Sequence, residues 1–139
     1  MIVRTCRGMA AAAALFSLGL AGCGDGSENL SVDGFLQRAN AEGAGLVVGT
    51  ELASAAGGRT FAVGVRGAPA VDHGGGGSVA AYEDARAAGR EYRNCLQSSR
   101  ASGALYCYRV ENILLILSGD VPPRNVAPVR RAVARIREG

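Results

Sequence analysis

SVAAYEDARAAGREYRNCLQSSRASGALYCYRVENILLIL, residues 78–117, decides the fold, because strand, helix and strand patterns follow one another within it. Ser78 to Tyr82 (SVAAY) reads as a strand. From Glu83 to Ser98, Ala88, Tyr92, Cys95 and Leu96 gather on one side of a helical wheel and Arg86, Arg90 and Arg93 on another. That is the 3.6-residue signature of a helix with one buried face. Glu83 and Asp84 are placed in its first turn, where the helix dipole favours acids. Leu105 to Val110 (LYCYRV) returns to strand, and Ile113 to Leu117 (ILLIL) is the unbroken apolar run expected of a strand buried on both faces. Glu111-Asn112 interrupts them, leaving either two strands or one long, bulged strand.

Upstream, Val32, Phe35, Leu36 and Ala39 recur at helical spacing, predicting a helix over about Ser31 to Asn40 with Ser31 or Asp33 as its cap. Gly43 ends it. Leu46 to Leu52 and Thr60 to Arg66 (TFAVGVR) are strand-like, with a hairpin turn over Ser54 to Arg59. Residues 67–77, GAPAVDHGGGG, are too glycine-rich for regular structure. Downstream, Gly119-Asp120 and Pro122-Pro123 close the strand region. A last helix over about Asn125 to Glu138 buries Val126, Val129, Ala132, Val133 and Ile136 and leaves Arg130, Arg131, Arg135 and Arg137 in solvent. The predicted order is α-β-β-β-α-β-β-α. Helices interrupt runs of strands without regular alternation, so the expected domain, residues 31–139, is α+β. It is two-layered: a mostly antiparallel sheet of about five strands with two to three helices on one face.

Residues 1–22 read as a targeting segment. A basic start (Arg4, Arg7) precedes an apolar run from Met9 to Ala21, shorter than the roughly 20 residues a membrane-spanning helix needs. The run ends in Leu20-Ala21-Gly22-Cys23. This tetrad resembles the lipobox, the processing signal of bacterial lipoproteins: a branched aliphatic, two small residues, then cysteine. The resemblance covers residues 1–23. It implies a thioether-linked diacylglycerol on Cys23, cleavage before it, and acylation of the new amine with palmitate. It also implies a lipid-anchored protein on the extracytoplasmic face of the cell membrane. In a two-membrane cell the outer membrane is the alternative, because Gly24 stands where an inner-membrane retention Asp would follow the cysteine. An ordinary signal peptide with a chance cysteine is the competing reading. The rest of the chain, biased toward Arg, Ala and Gly, resembles small lipoproteins of GC-rich bacteria, and that likeness implies no activity.

With the leader removed, residues 23–30 form a polar tether whose extended reach is at most ~28 Å. Two of the 15 basic residues, all arginine, leave with the leader, whereas all 12 acids remain. The mature charge is therefore about +1, which gives no support for nucleic-acid binding. Of the four cysteines, Cys6 leaves and Cys23 carries lipid on this reading. Cys95 and Cys107 remain as a pair in an exported domain, where a disulfide is expected. Free or redox-active thiols are the alternative, without the two-residue spacing such motifs use.

Catalytic patterns are sparse. His73, the only histidine, lies beside Asp72 in the 67–77 loop without the acids or cysteines a metal site needs. Ser78 is its nearest serine and sits in no G-x-S-x-G turn. Gly74 to Gly77 lack the Lys and Ser/Thr that complete a phosphate-binding loop, and Gly43, Gly45 and Gly49 lack dinucleotide spacing. No cofactor or metal is expected. Arg86, Arg90 and Arg93 form a stripe suited to phosphate or carboxylate, and so to an anionic surface or an envelope protein; a solvated helix face is the plainer reading. Besides Tyr82 and Tyr92, Tyr106 and Tyr108 share one strand face, and these two are candidates for a ligand-stacking platform or for capping the core edge. Three functions remain: a membrane-tethered, non-catalytic interaction or accessory domain; a small-ligand or ion-binding lipoprotein using the 67–77 loop and nearby tyrosines; and a hydrolase.

Overall fold

The computed structural model describes residues 29–54, 58–68 and 76–139. Residues 1–28, on which the expected leader, Cys23 and most of the expected tether fall, lie outside the described residues. So do 55–57 of the turn and 69–75 of the loop, including Asp72 and His73.

Eight elements follow in the predicted order: α1 (Val32–Ala41), β1 (Leu46–Leu52), β2 (Arg59–Val65), β3 (Gly77–Ala81), α2 (Ala85–Ser102), β4 (Leu105–Val110), β5 (Ile113–Ser118) and α3 (Pro123–Glu138). The five strands form one sheet, ordered β1-β2-β3-β5-β4. Every neighbouring pair is antiparallel. The fold is α+β. β3 and β4 therefore run parallel with β5 between them, and α2 is the crossover that joins them.

Capping chemistry sets the helix ends. Ser31 caps α1, its hydroxyl accepting from the Gly34 N–H at 3.0 Å. The sequence placed Glu83 and Asp84 inside the first turn of α2. Instead, Asp84 is extended (φ −152°, ψ 170°) and is the cap, its carboxylate accepting from the Ala87 N–H at 2.7 Å. The helix also outruns its expected end at Ser98, because no breaker occurs until Gly103, which takes the left-handed conformation (φ 65°) that terminates helices. α3 starts at Pro123, whose missing N–H is an orphan of the first turn in any case.

Opposed residues in an antiparallel ladder share a face. On one face Val63, Val79, Ile113, Leu115 and Leu117 meet Phe35 and Ala39 of α1 and Val129, Ala132 and Val133 of α3, forming the main core. On the other face Ala62, Ala80 and Leu114 are buried, and α2 contributes Ala88 and Cys95 over β4 and β5. α1 and α3 thus share a face as expected, while α2 lies across the opposite face and adds a partial layer at the β4 end. The continuous apolar run of β5 fits its position: it is central and covered on both sides.

Glu111-Asn112 makes two strands, not one bulged strand. Val110 pairs with Ile113, so the two residues form a tight hairpin loop, with Glu111 at a positive φ of 51°. The bulge lies elsewhere, where the β1–β2 register shifts between Val48 and Glu51. β1 is an edge strand with Val47, Val48 and Leu52 exposed, and the bulge interrupts its flat edge.

The end of the glycine run has a packing role. A Cβ on Gly77 (φ +155°) would strike the carbonyl of Ile116, and one on Gly76 the carbonyl of Val63. These two glycines let the chain enter β3 between β2 and β5.

Candidate functional site

The most densely bonded side chain of the described residues is Asn112, which the sequence reading treated only as an interruption. It is 2% exposed. Its Oδ1 accepts from the Leu30 N–H at 2.7 Å, and its Nδ2 donates to the carbonyls of Leu30 and Tyr82, both at 3.0 Å. Its own carbonyl accepts from the Tyr82 N–H at 2.9 Å. Asn29 Nδ2 adds a bond to the Glu83 carbonyl at 2.7 Å. The chain is therefore fastened at Asn29–Leu30 to the β4–β5 hairpin and to the approach to α2. This end of the domain is where the preceding segment joins.

Two cavities open here, each of about 450 Å³. The first is a groove lined by Leu30, Val110 and Ile136 with Arg38, Arg137, Glu111 and Gly139, and by Arg109, whose side chain lies on the α2 face of the sheet. Arg109 Nη1 donates to the carbonyls of Ala85 (3.3 Å) and Glu111 (3.2 Å), and Arg137 donates through Nε and Nη2 to the carbonyl of Arg109. Backbone carbonyls hold these two guanidiniums without cancelling their charge. Among the described residues the ion pairs are Arg59–Glu51 (3.2 Å) and Arg135–Glu42 (3.0 Å), both elsewhere.

The second cavity lies at the start of α1, among Asn29, Val32, Asp33, Arg59, Phe61 and Tyr82. Arg59 stands 5.3 Å from the Phe61 ring centroid and hydrogen-bonds Glu51, holding that carboxyl below its usual range. Burial pushes the Tyr82 phenol up, reinforced by Glu91.

The other candidates are dispersed. Arg86, Arg90 and Arg93 are exposed along α2. Ala85 touches Arg109, so Arg86 starts near the Asn112 end and Arg93 lies about 10 Å farther along the axis. Tyr106 and Tyr108 share a face, as the two-residue period requires, and pack half-buried against the main core. Burial pushes the Tyr108 phenol up, against the opposing effect of Arg130. Tyr92 is on α2, across the sheet. Cys95 and Cys107 are bonded, with Cα atoms 6.1 Å apart, within the range a disulfide spans without backbone movement. Among the described residues no group of three His, Cys, Asp or Glu is placed to hold a metal, and no helix is long and apolar enough to cross a membrane.

No protein-family model matches the chain, and neither a curated protein nor a solved structure shows significant similarity to it.

Proposed function

We propose that the protein is a lipoprotein tethered to a membrane through Cys23, whose domain acts as a non-catalytic interaction or accessory module at the cell envelope. The observation that carries this reading is the Leu20-Ala21-Gly22-Cys23 tetrad at the end of a short apolar run, six positions ahead of Asn29. Two or more acyl chains at that cysteine, each buried methylene contributing about 0.8 kcal/mol, give stable anchoring where one chain does not. The Cys95–Cys107 bond supports export, since disulfides persist outside the reducing cytoplasm. Membrane fractionation of the wild type and of Cys23→Ser tests the reading. The wild type is expected in the detergent-soluble membrane fraction, its Cys23 peptide carrying the mass of diacylglycerol and an acyl chain. A Cys23→Ser protein still fully membrane-bound would overturn it.

Small-ligand binding is the second reading. It is favoured by the cavity between Phe61, Tyr82 and Arg59, which combines an aromatic wall with polar groups, as ligand pockets do. The 67–77 loop, to which this reading first attached, lies mostly outside the described residues. A thermal-shift screen with metal ions and envelope metabolites is expected to raise the unfolding midpoint for at least one compound; no rise with any of them counts against it.

A further inference from the structure

We propose that the cavity between the start of α1 and β2 binds a zwitterion, a free α-amino acid with an apolar side chain. Its ammonium lies at Asp33 and Glu83 and its carboxylate at Arg59. The proposal rests on the small-ligand reading and names the class of ligand for that cavity.

Three observations converge. The first is that the lining shares one side of the sheet. Phe61 opposes Val79 and Arg59 opposes Ala81, so both side chains lie on the face covered by α1 and α3. Asp33 is in the first turn of α1, on that same side. The second is charge. The cavity is lined by one guanidinium, Arg59, and two carboxylates, Asp33 and Glu83; the other lining residues are uncharged. Neither carboxylate makes an ion pair among the described residues. Glu51 holds Arg59 through Nε and Nη2 but does not line the cavity, so the Nη1 donors remain for a ligand. Glu51 raises the Arg59 guanidinium above its ordinary value by hydrogen bond and by charge, and Asp33 adds to the effect by charge alone. Opposite charges thus line one cavity, close enough to act on each other and too far apart to pair. A simple anion would meet two carboxylates there and a simple cation the guanidinium, whereas a zwitterion satisfies both. The third is the floor. Leu30, Val32, Phe61 and Ala81 supply apolar surface beside the charges. Val32 is buried in the core and Asn112 fixes Leu30 through its N–H and carbonyl, so this surface is formed before a ligand arrives. The volume of about 450 Å³ falls within the range of small-molecule sites, roughly 300–1,000 Å³.

The test titrates the full chain with L-leucine, N-acetyl-L-leucine and L-leucinamide, read by amide NMR shifts. Leucine is expected to move the amides of Val32, Asp33, Arg59 and Phe61. The acetylated compound, which lacks the ammonium, should bind about ten-fold more weakly, the cost of losing a charged hydrogen bond. Leucinamide, which lacks the carboxylate, should bind about three-fold more weakly, because Arg59 is exposed and shared with Glu51. Asp33→Asn should weaken leucine and leave the acetylated compound unchanged, and an unaltered thermal midpoint establishes that the variant is folded. The two analogues test the same point without any substitution. No shift at these residues with leucine overturns the proposal. So does equal binding of the acetylated compound, which would make the ligand an apolar acid, or of leucinamide, which would make it an amine. The thermal-shift screen separates this proposal from the reading beneath it. A different compound that raises the midpoint and moves these amides, where leucine does not, removes the zwitterion alone. No binding by leucine or by any compound of the screen removes both.

Discussion

Asn112 shows how much one buried polar side chain can organise. Glu111, beside it, holds a left-handed conformation that costs an L-residue about 1–2 kcal/mol. The bonds from Asn112 to Leu30 and Tyr82 fix the hairpin that contains it. Replacing Asn112 with Ala leaves the Leu30 N–H and two carbonyls without partners. We expect a loss of about 3 kcal/mol, read as a lower denaturant midpoint, with faster amide exchange at Leu30. The tyrosines make a pH prediction. Burial raises the phenols of Tyr82 and Tyr108 above the ordinary value of about 10. A raised folded-state pKa means the unfolded chain loses its proton first. The stabilisation is therefore complete below about pH 10 and is lost as pH climbs through the folded-state values. Absorbance titration of tyrosinate should show a fraction ionising above pH 10, alongside a falling thermal midpoint; a single ordinary transition would contradict it.

At the scale of elements, the disulfide ties the crossover helix to the far edge of the sheet. α2 buries little apolar surface of its own, chiefly Ala88 and Cys95, so the bond to β4 is a large part of what holds it on its face. The double substitution Cys95→Ala with Cys107→Ala should cost about 3 kcal/mol. In a domain of this size that lowers the thermal midpoint by roughly 10–20 °C, with calorimetry as the check. Most of the element order was legible in the sequence, because each element carries its own period: Val32, Phe35, Leu36 and Ala39 for α1, ILLIL for β5. The face taken by α2 was not. The wheel shows which side of a helix is apolar, but not which side of a sheet it meets, and only the placement of Cys107 opposite Tyr106 and Tyr108 decides that. The groove was illegible for a related reason. Arg38, Arg109 and Arg137 come from three elements, and the Asn112–Leu30 bonds span 82 residues, so no local window contains either.

At the scale of the whole molecule, Leu30 and Gly139 line the same groove, whereas Gly103, at the other end of α2, lies about 27 Å along that helix from Ala85. The two ends of the described fold are neighbours, a geometry that tolerates circular permutation. Joining 139 to 30 through a short Gly-Ser linker and opening the exposed turn between Gly103 and Ala104 should keep the helical and strand circular-dichroism signals and a single cooperative melt. Loss of that melt would show that the order of connection is itself needed for folding. The same rearrangement inverts the molecule's polarity. A leash placed at the new start, ahead of Ala104, would attach at the pole opposite Leu30 and Gly139. Which pole carries the start of the chain is then a matter of where it is cut, and the architecture itself is indifferent to it.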